Sequence, residues 1–173
     1  RDGERRVSFA GDTKGNNGFW RAYRATTLKP GEVLAAVEIP DKPVHCYGSS
    51  YKVSKRRELD ISAVSSAFVM GLNAEGHVDS VTLAYGGMAA TPSRAIRAEH
   101  AFLGHSLSAA TIEKACAALA RDFSPIDDHR GSAWYRNEVA ANLLRGFCHE
   151  MQNHVPVHLP NRPSSTIMTG GSV

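Results

Sequence analysis

The hydrophobic period of this chain changes once, at Gly86-Gly87, and the change limits the folds open to it. Before the glycines, apolar residues recur at every second position. From Ile61 onward Val64, Phe68, Met70 and Leu72 fall on one side, against the mostly small Ala63, Ser65, Ala67 and Val69 on the other. A strand with one small-residue face fits this alternation, although Ala and Met leave a helix open. Val78–Tyr85 alternates again, Val81, Leu83 and Tyr85 against Ser80, Thr82 and Ala84. Asn73-Ala74-Glu75-Gly76 between the two runs is a hairpin turn, so they form an antiparallel pair.

After the glycines the period becomes helical. Thr91 can cap a helix that Pro92 begins and Gly104 ends. Ser108–Phe123 puts Ile112, Ala115, Cys116, Leu119 and Phe123 on one face, and Ser132–Met151 does the same with Val139, Ala140, Leu143, Leu144 and Phe147. Strands first and helices afterwards give an α+β domain, an antiparallel sheet of three to four strands packed against about three helices.

Upstream, Arg1–Gly18 is polar and rich in Gly and Asn, so it reads as loop. Gly18–Thr27 gathers Phe19, Trp20 and Tyr23 with Arg21 and Arg24, and Pro30-Gly31 marks a turn. Val33–Ile39 reads as a strand ended by Pro40 and Pro43, and Tyr47–Val53 as a second. The prolines are the candidate boundary, dividing the chain into a lead-in (1–43), a main domain (44–153) and a linker (154–173). The start at Arg1 and the Pro/Gly-rich end are both expected of a piece of a longer chain.

Bulk properties exclude some functions. No apolar run approaches the roughly 18–20 residues that span a bilayer. A net charge of +3 is too small to argue for nucleic acid, and the basic cluster Lys52, Lys55, Arg56 and Arg57 is offset at once by Glu58 and Asp60. Cys46, Cys116 and Cys148 form no disulfide framework or Cys-x-x-Cys motif, which fits a reducing, cytoplasmic compartment.

Few segments carry chemistry. Tyr85-Gly86-Gly87-Met88 reads as a strand that bends where positive φ is needed, with close approach to a ligand as the alternative. Lys52–Glu58 is either a solvated turn or a seat for a diphosphate or acidic partner, since guanidinium forks match phosphate oxygens. His154 and His158 are four apart, but Pro156 prevents one helical face from presenting both to a metal. Asp127-Asp128 lies between helices, where solvation accounts for it. No Gly-x-Ser-x-Gly elbow occurs, and no complete active site is visible.

Four segments, in order, resemble the flavoprotein part of the molybdenum hydroxylases. Gly18–Glu32, running into Val33–Pro40, is similar to the family's Phe-x-x-Tyr-Arg-x-Thr run and the strand that closes its FAD-binding domain. Lys52–Ile61 resembles the Lys-x-x-x-Arg-Arg-Glu-x-Asp-Ile segment of xanthine dehydrogenases. Tyr85–Ala89 with Pro92, Arg94 and Ala95 looks like the strand-to-helix junction of the flavoprotein C-terminal domain, and Arg130–Arg136 like the start of its last long helix.

The resemblance implies a share in an FAD site. Leu34 matches a position that packs on FAD and Lys52 one that contacts it. Arg56, Arg57, Glu58 and Asp60 match a loop beside the isoalloxazine ring, where charge tunes access of NAD or oxygen. Leu59 stands where mammalian members carry an acidic residue, so their dehydrogenase-to-oxidase switching is not carried over. NAD is the implied acceptor, and molybdopterin and 2Fe-2S clusters are implied on other domains or subunits of the same enzyme, itself a homodimer. An aldehyde oxidase or carbon monoxide dehydrogenase medium subunit is the rival within the family. A non-catalytic α+β interaction module is the rival outside it.

Overall fold

The computed structural model describes residues 3–9, 18–56 and 59–153. Its centre is an antiparallel sheet of four strands in the order β3-β4-β5-β6, formed by β3 (Cys46–Val53), β4 (Val64–Leu72), β5 (Val78–Gly86) and β6 (Ser93–Arg94). Three helices follow, α1 (Ile96–Phe102), α2 (Ala109–Leu119) and α3 (Ala133–Asn153). Ahead of the sheet, β1 (Trp20–Ala22) and β2 (Ala25–Thr26) make a small hairpin that turns through Arg24 at φ +56°. The α+β architecture agrees with the change of period.

The sheet is one-sided. Its helix face carries Tyr47 and Tyr51 from β3, Val64, Phe68 and Met70 from β4, and Leu83 and Tyr85 from β5. Register pairs Phe68 with Leu83 and Ser66 with Tyr85, so large side chains stack in rows against the helices. Phe68 lies at the middle of an aromatic chain, its ring 5.1 Å from Tyr85 and 5.3 Å from Phe147 of α3. The Tyr85 hydroxyl donates to the Ala140 carbonyl at 3.0 Å, which satisfies the polar end of a buried ring. The opposite face presents Gly48, Ser50, Ser65, Ala67, Thr82, Ala84 and Gly86 with the larger Lys52 and Val69 along the same strands.

The β4–β5 turn is the one the sequence requires. Asn73 Oδ1 accepts from the Glu75 and His77 amides, and Gly76 takes φ +79°. Helix ends follow similar chemistry: Ser108 Oγ accepts from the Thr111 amide, Ser132 Oγ from the Tyr135 amide, and Gly104 closes α1 at φ +76°.

Three expectations are corrected. Val33–Ile39 pairs with no strand among the described residues, and Val33 and Ile39 are each 82% exposed. An apolar alternation is only half of a strand, because ladder hydrogen bonds need a partner edge. The first helix starts at Ile96 rather than Pro92, because Ser93 and Arg94 pair with Tyr85 and Ala84 instead. Its N-terminal amides at Arg97 and Ala98 are capped by the Asp122 carboxylate, a partner 25 residues from Arg97 that local spacing does not reveal. α2 ends at Leu119, short of Phe123, although Phe123 stays buried against Tyr85.

No helix among the described residues is long and apolar enough to cross a membrane. His154, His158 and the 154–173 segment lie outside the described residues.

Phe147 is fully buried against both Phe68 and Tyr47. Phe147→Ala is expected to destabilise the domain by about 3–5 kcal/mol, read from the shift of its denaturant midpoint.

Candidate functional site

Lys52 sits one residue before the end of β3, opposite Ser65 of β4, which in turn pairs with Gly86 of β5. This row ends the small-residue face of the sheet, and the Lys52 side chain is exposed there. The hydroxyl of Ser65 lies over Gly86, where a Cβ would come within 2.5 Å of Ser65 Oγ, so only glycine fits that position. A flat group can approach such a face closely, with the ammonium at its rim.

The chain then leaves the sheet and returns at Ala63, whose amide donates to the Val53 carbonyl at 2.8 Å. The loop over residues 54–62 is therefore a closed excursion at the sheet end that carries Lys52. Its described residues are held by short-range contacts. Ser54 Oγ donates to the Arg56 carbonyl, the Arg56 amide to Asp60 Oδ2, and the Arg56 guanidinium to the Leu59 carbonyl. The Arg56 amide is the main reason that the Asp60 carboxyl titrates below its ordinary range. Leu59 holds φ +50° with its side chain 95% exposed, a left-handed conformation that L residues seldom adopt without a functional or tertiary reason.

A crevice of about 310 Å³ lies between this loop and the turn before α3, lined by Lys55, Arg56, Asp60, Ile61, His129 and Arg130. Lys55, Arg56 and Arg130 bring positive charge to it, offset by Asp60 and by the Asp128 carboxylate 3.8 Å from Arg130. Lys55 Nζ donates to the His129 carbonyl at 2.6 Å, joining the loop to the turn.

Of the residues singled out in the sequence, Arg56 and Asp60 meet through a hydrogen bond, and Lys52 lies near the strand end from which their loop leaves. Arg57 and Glu58 lie outside the described residues. Leu34 belongs to the irregular stretch 33–40 with its side chain 57% exposed, and no described strand pairing carries it to Lys52.

Several polar residues were missed in the sequence. Arg136 is buried on α3, one turn before Ala140 on the apolar face, and its guanidinium reaches Ala63, Gly87 and Asp128. A cation at a core-facing helical position was the signal that could have found it. The solvation reading of Asp127-Asp128 is corrected: Asp127 accepts from the Ala133 amide at the start of α3, and Asp128 from Arg136. Glu150 is likewise buried, its Oε2 accepting from the Tyr51 hydroxyl at 2.6 Å and the Tyr47 hydroxyl at 3.2 Å. Burial is the first cause that raises both phenols above their ordinary range. Burial also pushes the Cys148 thiol up to about 12, which keeps it protonated and unreactive near neutrality. No group of three or more His, Cys, Asp or Glu among the described residues is arranged to hold a metal.

Gly87 takes φ +80°, and a Cβ there would collide with the Ala63 carbonyl and lie 3.2 Å from the Arg136 guanidinium. The Gly-Gly pair thus serves the strand bend. Gly87→Ala is expected to lower the midpoint of thermal unfolding, with the left-handed backbone alone costing about 1–2 kcal/mol.

Asp128 is held at about 2, first by the Arg130 amide and then by the Arg136 guanidinium, against 3.8 for an unperturbed aspartate. A carboxyl whose folded pKa is depressed stabilises the fold above its unfolded value and loses that contribution as the pH falls through the folded one. Wild type is therefore expected to exceed Asp128→Asn in stability by a constant margin above about pH 4, shrinking between 3.8 and about 2. Denaturant midpoints of both proteins across that range test this.

Comparison with known proteins bears out the resemblance read from the four segments. The model of the CO dehydrogenase flavoprotein C-terminal domain matches residues 49–151. Xanthine dehydrogenase of Emericella nidulans is 31% identical over 152 residues, 86% of this chain and 11% of that protein. The glyceraldehyde dehydrogenase medium chain of Sulfolobus acidocaldarius is 31% identical over 125 residues, 72% of this chain and 43% of that one. A solved structure, reconstituted CO dehydrogenase from Oligotropha carboxidovorans, superposes with a TM-score of 0.67 at 28% identity, covering 73% of this chain and 44% of that chain. The chain thus spans less than half the length of each of these relatives. With more than half of its residues matched in one block, it belongs to the CO dehydrogenase flavoprotein C-terminal domain family.

Proposed function

We propose that this chain forms one wall of an FAD site in a xanthine dehydrogenase-type molybdenum hydroxylase. Residues 1–43 would close the FAD-binding domain, 44–153 form the domain behind the flavin, and 154–173 lead to the next part of the enzyme. The observation that carries this reading is Lys52 at the rim of a small-residue sheet face, with the loop holding Arg56 and Asp60 folded at the same end.

These residues fit a flavin. Ser65, Ala67 and Ala84 carry small side chains over which a planar ring would lie. The Lys52 ammonium favours the negative charge that a flavin gains on reduction, and Leu34 would supply an apolar contact. Arg57 and Glu58 would stand with Arg56 and Asp60 in the loop that governs access to the ring. When bound, FAD supplies two-electron chemistry, receiving electrons that iron–sulfur centres bring from a purine hydroxylated at molybdenum and delivering them to NAD. The chain's own part is to orient the ring, limit water and set the local field.

In the whole protein Lys52→Ala is expected to lower the flavin-to-protein ratio or slow flavin reduction by substrate, measured by absorbance and stopped flow. Unchanged flavin content and rate would count against the assignment of Lys52. The equal 31% identity to a glyceraldehyde dehydrogenase medium chain supports an aldehyde-oxidising enzyme as the second reading. Assays with xanthine and with glyceraldehyde separate the two, and a whole protein that purifies without flavin would favour an interaction module.

A further inference from the structure

Arg136 is out of keeping with its surroundings. It is only 3% exposed, on the helix face that continues through Ala140, Leu144 and Phe147 into the core. A buried guanidinium carries a desolvation cost that an apolar side chain of similar volume would avoid. Packing alone therefore does not account for an arginine here.

Its hydrogen bonds do. One terminal nitrogen donates to the Ala63 carbonyl at 2.5 Å and to the Gly87 carbonyl at 2.7 Å. The other donates to Asp128 Oδ1 at 2.7 Å, which supplies the counter-charge, while Nε is buried without a partner among the described residues. Three segments distant in sequence thus meet at one planar group. They are the return limb of the 54–62 loop, the Gly-Gly bend after β5, and the turn before α3. That turn is fixed in its own right, because Asp128 Oδ1 also accepts from the Arg130 amide at 2.8 Å and the Gly131 amide at 3.2 Å. The loop's outgoing limb is tied to the same turn by Lys55 and the His129 carbonyl. Both limbs are consequently referenced to one rigid point.

We propose that Arg136 is the positioning residue of the two limbs of this loop, residues 54–56 and 59–62, holding them in register with the end of the sheet through Ala63 and Asp128. The proposal rests on the reading that this loop lies beside a flavin, and extends it to a residue that need not touch the cofactor. Lysine cannot substitute, because a single ammonium lacks the fork that serves three acceptors at fixed angles.

The test uses the whole protein and the variants Arg136→Lys, Asp128→Asn and Arg145→Met. Asp128→Asn cuts the same network at a more exposed residue and serves should Arg136→Lys fail to fold. Arg145 pairs with Glu113 about 14 Å further along α3, at about 1.5 Å per residue, and controls for general loosening of the helix. Tryptic cleavage after Lys55 or Arg56 reports the loop without reference to flavin. It is expected to quicken about tenfold in the first two variants and not in the third, the change given by about 1.4 kcal/mol lost from local closure. In the same two variants the bound flavin's visible absorption should shift and the KM for NAD rise, with the rate of flavin reduction by substrate unchanged. Cleavage no faster than in Arg145→Met would overturn the clamp. Faster cleavage with unaltered flavin absorption and KM would overturn the positioning role. A wild-type protein without flavin would overturn the reading beneath it.

Discussion

One constraint organises the domain: the sheet is covered by helices on a single face, and the aromatic side chains of its strands, Tyr47, Tyr51, Phe68 and Tyr85, all use that face. A slip of one residue in β4 would send Phe68 and Met70 outward and bring Ala67 and Val69 in, so burial fixes the register. The same constraint sets where α3 lies, since Phe147 meets Phe68 and the Tyr85 hydroxyl finds a helix carbonyl. It also leaves the opposite face to mostly small side chains, Ser50, Ser65, Ala67 and Ala84, with Val69 and Lys52 among them.

Charge is admitted to this core at its margins, and each instance does mechanical work. Glu99 accepts from the Leu83 amide and from both ends of the Arg94 fork, pinning α1 to β5. Glu150 takes two tyrosine hydroxyls from the edge strand and pins α3 to β3. Arg136 joins the turn before α3 to both strand ends beside the loop. In each pairing a group that would be costly alone is satisfied by partners that only the folded topology brings near.

The candidate site inherits its order from that scaffold. The 54–62 loop contains the strained Leu59, yet both of its limbs are tied to fixed points. A loop of this kind can hold the charges of Lys55, Arg56 and Asp60 at a defined place while Leu59 stays exposed. That suits a role in which the protein sets access and field around a cofactor and leaves the redox chemistry to the cofactor.

The sequence by itself determined the class of fold, the β4–β5 hairpin and the glycine that ends the first helix. Those features depend on residues within a few positions of one another: alternation at Val64–Leu72, Asn73 and Gly76 in the turn, Gly104 after α1. It also marked Lys52, Arg56 and Asp60 as a unit, because a loop keeps neighbours in sequence near one another. Tertiary structure decided what depends on distant partners. Val33–Ile39 has the alternation of a strand, but alternation specifies faces and not the edge to pair with. The first helix began late because an open strand edge competed for Ser93 and Arg94, and because its cap came from Asp122. Asp128 read as a solvated acid, and Arg136 only as the end of a family-like segment, until the fold brought Ala63, Gly87 and Asp128 together around Arg136, since a buried charge is explained only by what surrounds it.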